Sequence, residues 1–169
     1  MADSQGRTRA VRRVTLPPAY ATPADGPWFV EFVRQGGFTG GEWARLRVDS
    51  SKLTVSEGAR RCVYTLTTEE SAEVTGWVRT VRADLWFKSY VPANPSVITD
   101  AIYYEVALER AETSPYDNHT RQVRYGTELL ELDIRPHTPA DLVGLWDLLF
   151  SFEPDSYWTR YSTLCRSSN

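Results

Sequence analysis

Apolar and polar residues alternate along WFVEFVR (28–34) and again along EWARLRVD (42–49). A period of two predicts half-buried strands. In the first run Trp28, Val30 and Phe32 face one way and Phe29, Glu31 and Val33 the other. In the second, Ala44, Leu46 and Val48 oppose Trp43, Arg45 and Arg47. Only QGGFTGG separates the runs, which predicts a hairpin with a glycine-rich tip. Residues 50–66 carry a weaker pattern, with RCVYTL as a short extra strand. AIYYEVALER (101–110) is a third clear strand with Ile102, Tyr104, Val106 and Leu108 inward. After the turn SPYDN, RQVRY (121–125) pairs back and ELLELDI (128–134) extends or follows it.

Two segments switch to helical period. In TTEESAEVTGWVRTVRADLW (67–86), Val74, Trp77, Val78, Val81 and Leu85 fall on one stripe. Thr67 or Thr68 supplies the cap, and Glu69 and Glu70 suit the positive end of the dipole. In RPHTPADLVGLWDLLFSF, Thr138 is the predicted N-cap, Pro139 fits the first turn, and Asp141 bonds back. Leu142, Leu145, Trp146, Leu149 and Phe150 form its buried stripe, and Pro154 closes it. The order strand, strand, helix, strand, strand, helix predicts an α+β fold: an antiparallel sheet of about four or five strands with two helices packed on one face.

Residues 1–27 are polar, basic and then proline-rich, and are expected to form a disordered extension ending in an extended surface segment. One domain is expected over 28–158, with Tyr157 or Trp158 docking, and a flexible tail over 159–169. The net charge of -3 argues against a nucleic-acid partner, which needs a basic face. No apolar run is long enough to cross a bilayer. Cys62 and Cys165 are the only cysteines. Two cysteines make no framework for 169 residues, so a reducing cytoplasm, an inert buried Cys62 thiol and no disulfide are expected.

Candidate chemistry is sparse. GGFTGG leads into Glu42, Trp43 and a strand, so it lacks both the Lys-Ser/Thr pair and the helix that a phosphate loop needs. His119 and His137 have no second ligand at metal spacing, and no metal or cofactor is expected. No serine stands in a nucleophile elbow. Glu69-Glu70 and Glu128/Glu131 are explained by helix dipoles and solvated faces. The aromatic content points elsewhere. Phe38 at the hairpin tip, Trp43 on the outward strand face and Tyr90 at a loop edge are not claimed by the core stripes. Loop aromatics suit a protein-binding surface. Against this, Phe38 folding back over the sheet end, with glycines merely permitting the bend, is the reading the sequence favours slightly.

The run VEFVRQGGFTGGEWARLRVD, the helix ending in ADLWF, the strand DAIYYEVALE and the helix DLVGLWDLLF together resemble the emfourin-type proteinase inhibitors, a family of small bacterial proteins. Gly36, Gly37, Phe38 and Gly40 match the Gly-Gly-Phe-x-Gly motif; Val48 and Asp49 match the end of its second strand. Ala83, Asp84, Trp86 and Phe87 approximate the helix-closing motif, and Asp100 and Tyr104 match Asp-x-x-x-Tyr. The resemblance covers roughly residues 28–152 with gaps. It implies a non-enzymatic inhibitor of a thermolysin- or protealysin-type zinc metalloprotease, in which the zinc belongs to the enzyme. Gly36, Gly37, Phe38, Thr39, Gly40, Trp43, Pro92, Asn94, Pro95 and Asp100 are the residues expected to meet the protease, and the inhibitor is expected to be a monomer. The chain departs from the pattern by an insertion at SEGARRCVYT (56–65) and by a proline-bearing PANPSVIT in place of a glycine-rich loop. A non-inhibitory interaction module with the same fold is the alternative, and a small enzyme with an unrecognised carboxylate site a more distant one.

Overall fold

The structure, a computed structural model, describes residues 21–36, 42–91, 101–116, 118–130 and 138–151. Among the described residues, seven strands and two helices build a two-layer α+β fold. The strands are β1 (Thr22–Gly36), β2 (Glu42–Asp49), β3 (Lys52–Glu57), β4 (Arg60–Thr65), β5 (Ser89–Tyr90), β6 (Ile102–Thr113) and β7 (Thr120–Leu130). The helices are α1 (Thr68–Thr80) and α2 (Ala140–Ser151). The sheet order is β4-β3-β2-β1-β6-β7-β5, so β1 is central. All neighbours are antiparallel except β5, which runs parallel to β7. The expected class holds, but the sheet is mixed and larger than the four or five antiparallel strands predicted.

The added strands have identifiable origins. Leu53 and Val55 alternate with polar residues along KLTVSE and turn through Gly58, whose positive φ suits a tight hairpin, into β4. The apparent insertion at 56–65 therefore becomes most of the sheet's β4 edge. RQVRY and the following residues form one strand through Gly126 rather than two pieces. β1 begins at Thr22: Thr22 and Pro23 already pair with Thr113 and Glu112, and a register break separates them from Trp28. β5 is set by tertiary pairing alone, two residues laid on Glu128 and Leu129.

The alternation in β1, β2 and β6 places its apolar halves on one side. Val30, Phe32, Leu46, Val48, Leu53, Val106, Leu108 and Leu129 are buried there under Val74 and Val78 of α1 and Leu142, Leu145 and Leu149 of α2. Trp146 meets Phe32 and Tyr104 edge-on at centroid distances of 5.2 and 4.5 Å, a favoured aromatic geometry. Gly144 lies against the Trp77 indole, where any Cβ would overlap the ring.

The α1 cap is one of the two expected, whereas the end of α1 and the start of α2 differ from expectation. Thr67 caps α1 through a full capping box with Glu70, and the Tyr64 hydroxyl donates to the same carboxylate at 3.0 Å. The helix stops at Thr80, not 86. Val81 is extended, and the Arg110 guanidinium donates to the Val78 and Val81 carbonyls at 2.5 and 2.7 Å. These are carbonyls left open at a helix end, and a buried cation satisfies them. Residues 83–85 form a separate 3-10 turn, which puts Leu85 half in solvent instead of on the buried stripe. At the start of α2 the Thr138 hydroxyl is buried without a hydrogen bond, so it is not the cap. The Asp141 carboxylate accepts from the Arg82 backbone N–H at 2.7 Å and so ties the two helices together.

Cys62 corrects the expectation of an inert free thiol. It is half-buried on β4 and disulfide-bonded. The expected docking of Tyr157 or Trp158 lies outside the described residues, as do His137, Glu131 and residues 1–20.

Candidate functional site

The register of β1 builds one end of the sheet. Gly36, the last residue of β1, pairs with Ile102, the first of β6; Tyr103 pairs on its other side with Leu130, the last of β7. The stems of three connections, 37–41, 92–100 and 131–137, therefore meet at that end. Gly36 is required there: its φ is +98°, and a Cβ would overlap the Ala101 carbonyl oxygen. Across the hairpin, Arg34 pairs with Ala44 but Gln35 with Glu42, which leaves Trp43 as an extra residue in a β-bulge. A bulge bends the strand and re-aims side chains, and bulges recur beside functional sites.

Of the residues expected to meet a partner, the described residues include Gly36 in full and Trp43 in its backbone. Gly37, Phe38, Thr39, Gly40, Pro92, Asn94, Pro95 and Asp100 lie outside them, as does the Trp43 side chain. The structure thus brings the stems of the two expected loops side by side.

Beside this end, residues 86–90 follow the β7 edge. The Thr127 hydroxyl donates to the Phe87 carbonyl at 2.7 Å, and the Glu128 N–H to the Lys88 carbonyl at 3.0 Å. The Tyr90 hydroxyl accepts from the Phe87 N–H at 3.1 Å. Tyr90, expected to be a spare exposed aromatic, is buried against the core. The ring exposed along this edge is Phe87, 72% accessible and 5.9 Å from Tyr90; Tyr116, in the β6–β7 turn, is exposed as well. Leu85 adds a second exposed apolar side chain. The sequence signal was weak, because ADLWF read as the end of the α1 stripe.

The sheet face opposite the helices carries a charged cluster. Glu31 on β1 is only 6% accessible. Its carboxylate has Arg47 and Arg45 of β2 at 3.4 and 3.5 Å and Arg124 of β7 at 3.9 Å. Arg47 also lies over the Phe29 ring at 3.7 Å, a cation–π contact. Next to Glu31, the small pair Ala107 and Gly126 forms the floor of a depression of about 300 Å³. Glu105 and Glu128 stand directly opposite each other on its wall, with Lys88 and Arg124 nearby.

On the covered face, Arg110 and Glu112 pair at 2.9 Å, and the Tyr125 hydroxyl donates to Glu112 at 2.8 Å. Burial, then the bond to Glu112, push the Tyr125 phenol up to about 12. Asp84 is held below the usual carboxylate range, chiefly by its hydrogen bond from Arg82. These groups are engaged with one another and with the helix ends, so their perturbation reads as structural. Among the described residues no group of three or more His, Cys, Asp or Glu could hold a metal ion. Within those residues, no helix is long and apolar enough to cross a membrane. His119 stands exposed in the β6–β7 turn, and Glu69 and Glu70 serve the α1 N-terminus.

Comparison with family models, curated proteins and solved structures returns no match for the chain.

Proposed function

We propose that this chain binds a protein partner through the end of the sheet where the stems of 37–41 and 92–100 meet, and that the partner is a thermolysin- or protealysin-type zinc metalloprotease, which it inhibits. The zinc is the enzyme's. One observation carries the reading: Gly36 pairs with Ile102, so both loops of the emfourin-like pattern leave adjacent strands of one hydrogen-bonded sheet. A standard protease–inhibitor interface buries about 800 Å² per partner and rewards loops held in their bound shape. Stems fixed on the central strand and its neighbour meet that need. The disulfide at Cys62 favours oxidising surroundings over the cytoplasm that the sequence suggests.

A non-inhibitory docking module is the second reading. Exposed Phe87 and Leu85 favour it, because they put apolar surface into solvent outside the residues of the emfourin-like loops.

Progress curves of a thermolysin-type protease with micromolar full-length protein test the first reading. The expected result is a saturable loss of activity, with the added protein uncut. Phe38→Ala and Pro95→Gly should each raise the inhibition constant at least about tenfold with an unchanged melting midpoint, as loss of a contact residue or of loop stiffness requires. Full protease activity with intact protein would reject inhibition and leave the docking module.

A further inference from the structure

We propose that two copies of this chain pair face to face through the open side of the sheet, the basic half of each meeting the acidic half of the other. The proposal stands apart from the protease reading, which concerns the end of the sheet.

The strand registers set the charge out in rows. Val33 on β1 pairs with Arg45 on β2 and with Glu105 on β6. Arg45 pairs in turn with Ser56, and Ser56 with Arg61 of β4. On the other side Glu105 pairs with Glu128 of β7. Directly opposed residues share a face of the sheet. One row therefore reads Arg61, Ser56, Arg45, Val33, Glu105, Glu128 across six strands, with positive charge on one side of the central strand and negative on the other. The division continues beyond the row, where β2 and β3 add Arg47 and Lys52 and β6 adds Glu109. Three residues temper it. Asp49 accepts from the Ser51 and Lys52 N–H groups at 2.9 and 3.1 Å in the β2–β3 turn. Arg124 leans toward the central Glu31 at 3.9 Å, and Lys88 stands just before β5.

The charged groups of the row lie at the surface. Arg61, Glu105 and Glu128 are exposed, and the Arg45 side chain is 43% accessible. Glu105 and Glu128 are directly opposed like charges, which destabilises an isolated sheet. A cation arriving from the face converts that repulsion into attraction.

The face is its own complement. A two-fold axis parallel to β1 and passing by Val33 sets β2 of each copy against β6 of the other. Arg45 of each copy then stands over Glu105 of the other, and every contact occurs twice, as an isologous interface requires. Facing sheets lie about 10 Å apart, a gap that an arginine and a glutamate span together. Shape agrees with charge. One row along, the same axis sets Arg47 against Ala107, whose small neighbour Gly126 completes the floor of the depression of about 300 Å³. A long side chain thus meets a hollow. Six strands and the length of β2 outline about 24 by 27 Å, roughly 650 Å² in projection, near the ~800 Å² per partner of a standard interface. Because the axis runs along the strands, the Gly36 ends of both copies point the same way.

The test is sedimentation of the full chain at up to about 100 μM in about 20 mM salt, where screening is weak. A dimer is expected, and 0.5 M NaCl should raise its dissociation constant at least about tenfold. Arg45→Glu and Glu105→Arg, each checked for folding by circular dichroism, should each sediment as a monomer. Mixed in equal amounts they should dimerise again, because each reversed charge then faces its opposite. Glu105→Arg alone keeps the test decisive if Arg45→Glu does not fold beside Glu31. Wild-type protein that stays monomeric at about 100 μM would overturn the proposal; a monomer that captured polyglutamate would give the face to an acidic partner instead. A dimer that survives Glu105→Arg, or two folded variants that stay monomeric when mixed, would overturn it too by placing the contact elsewhere.

Discussion

Arg110 and Glu31 are charged residues buried in the same sheet, 4% and 6% accessible, on opposite faces. Arg110 lies under the helices. Its guanidinium is divided between Glu112 and two carbonyls at the end of α1, all at 2.9 Å or less. Glu31 lies on the open face, and its three arginines hold it at 3.4–3.9 Å with side chains 43–59% accessible. Similar burial of the central residue thus hides different physics. On the covered face neither partner can turn to water when the other is lost. On the open face every partner already touches it. The first arrangement defines where a helix ends; the second leaves guanidinium surface facing outward, available to whatever approaches the sheet.

The sharpest test of that contrast is Arg110→Ala. It leaves the Glu112 carboxylate, whose side chain is 2% accessible, with only Tyr125 as a partner, and opens two helix-end carbonyls. Breaking a buried pair from one side costs about 3–5 kcal/mol. Urea denaturation should show a loss of that size. A loss under about 1 kcal/mol would mean that water reaches the site and that the two faces are alike.

A matched glycine pair separates packing from charge. Gly144→Ala drives a methyl into the Trp77 indole between the helices and should cost about 1–3 kcal/mol. Gly126→Ala on the open face meets nothing closer than the Val106 carbonyl oxygen at 3.8 Å, and should change stability by no more than about 0.5 kcal/mol. Equal thermal shifts for the two variants would break the comparison. Glu31→Gln comes next in size. It should cost about 1 kcal/mol or less, because its arginines are solvated. That cost should shrink in 1 M NaCl, where charges are screened within about 3 Å, while the Arg110→Ala deficit persists. A Glu31→Gln loss that ignores salt would place Glu31 with the covered-face groups.

The sequence made one half of this contrast readable. Period two in β1, β2 and β6 correctly assigned Val30, Phe32, Leu46, Val48, Val106 and Leu108 to one side, because burial on one face imposes that alternation directly. The glycine at 36 was readable as a turn residue for the same local reason. What failed depended on distant partners. α1 ends at Thr80 because of Arg110 and Asp141, some 30 to 60 positions away. β5 exists only by pairing with β7, and the ring of arginines on Glu31 needs the β1–β2 and β6–β7 registers to be known together. Phe87 looked like helix and became surface once α1 stopped early. Of the candidate site, local pattern supplied the stems at Gly36 and Ile102 and register supplied their adjacency.

Alkaline pH gives the smallest and most specific signal. Tyr125 donates to buried Glu112, and its folded value of about 12 lies above the ordinary phenol near 10. A group whose folded pKa is raised contributes stability that is fully present below its unfolded pKa and is lost as pH climbs to the folded one. The window is therefore roughly pH 10 to 12. Wild-type protein should lose stability across it. Tyr125→Phe, which has no phenol to ionise, should start lower at neutral pH and lose less across the window. Melting midpoints at intervals from pH 9 to 11.5 would show the two curves converging. Parallel curves would mean that Tyr125 ionises as freely folded as unfolded, and that the covered face is as open to solvent at its β7 margin as the arginine-lined face is at its centre.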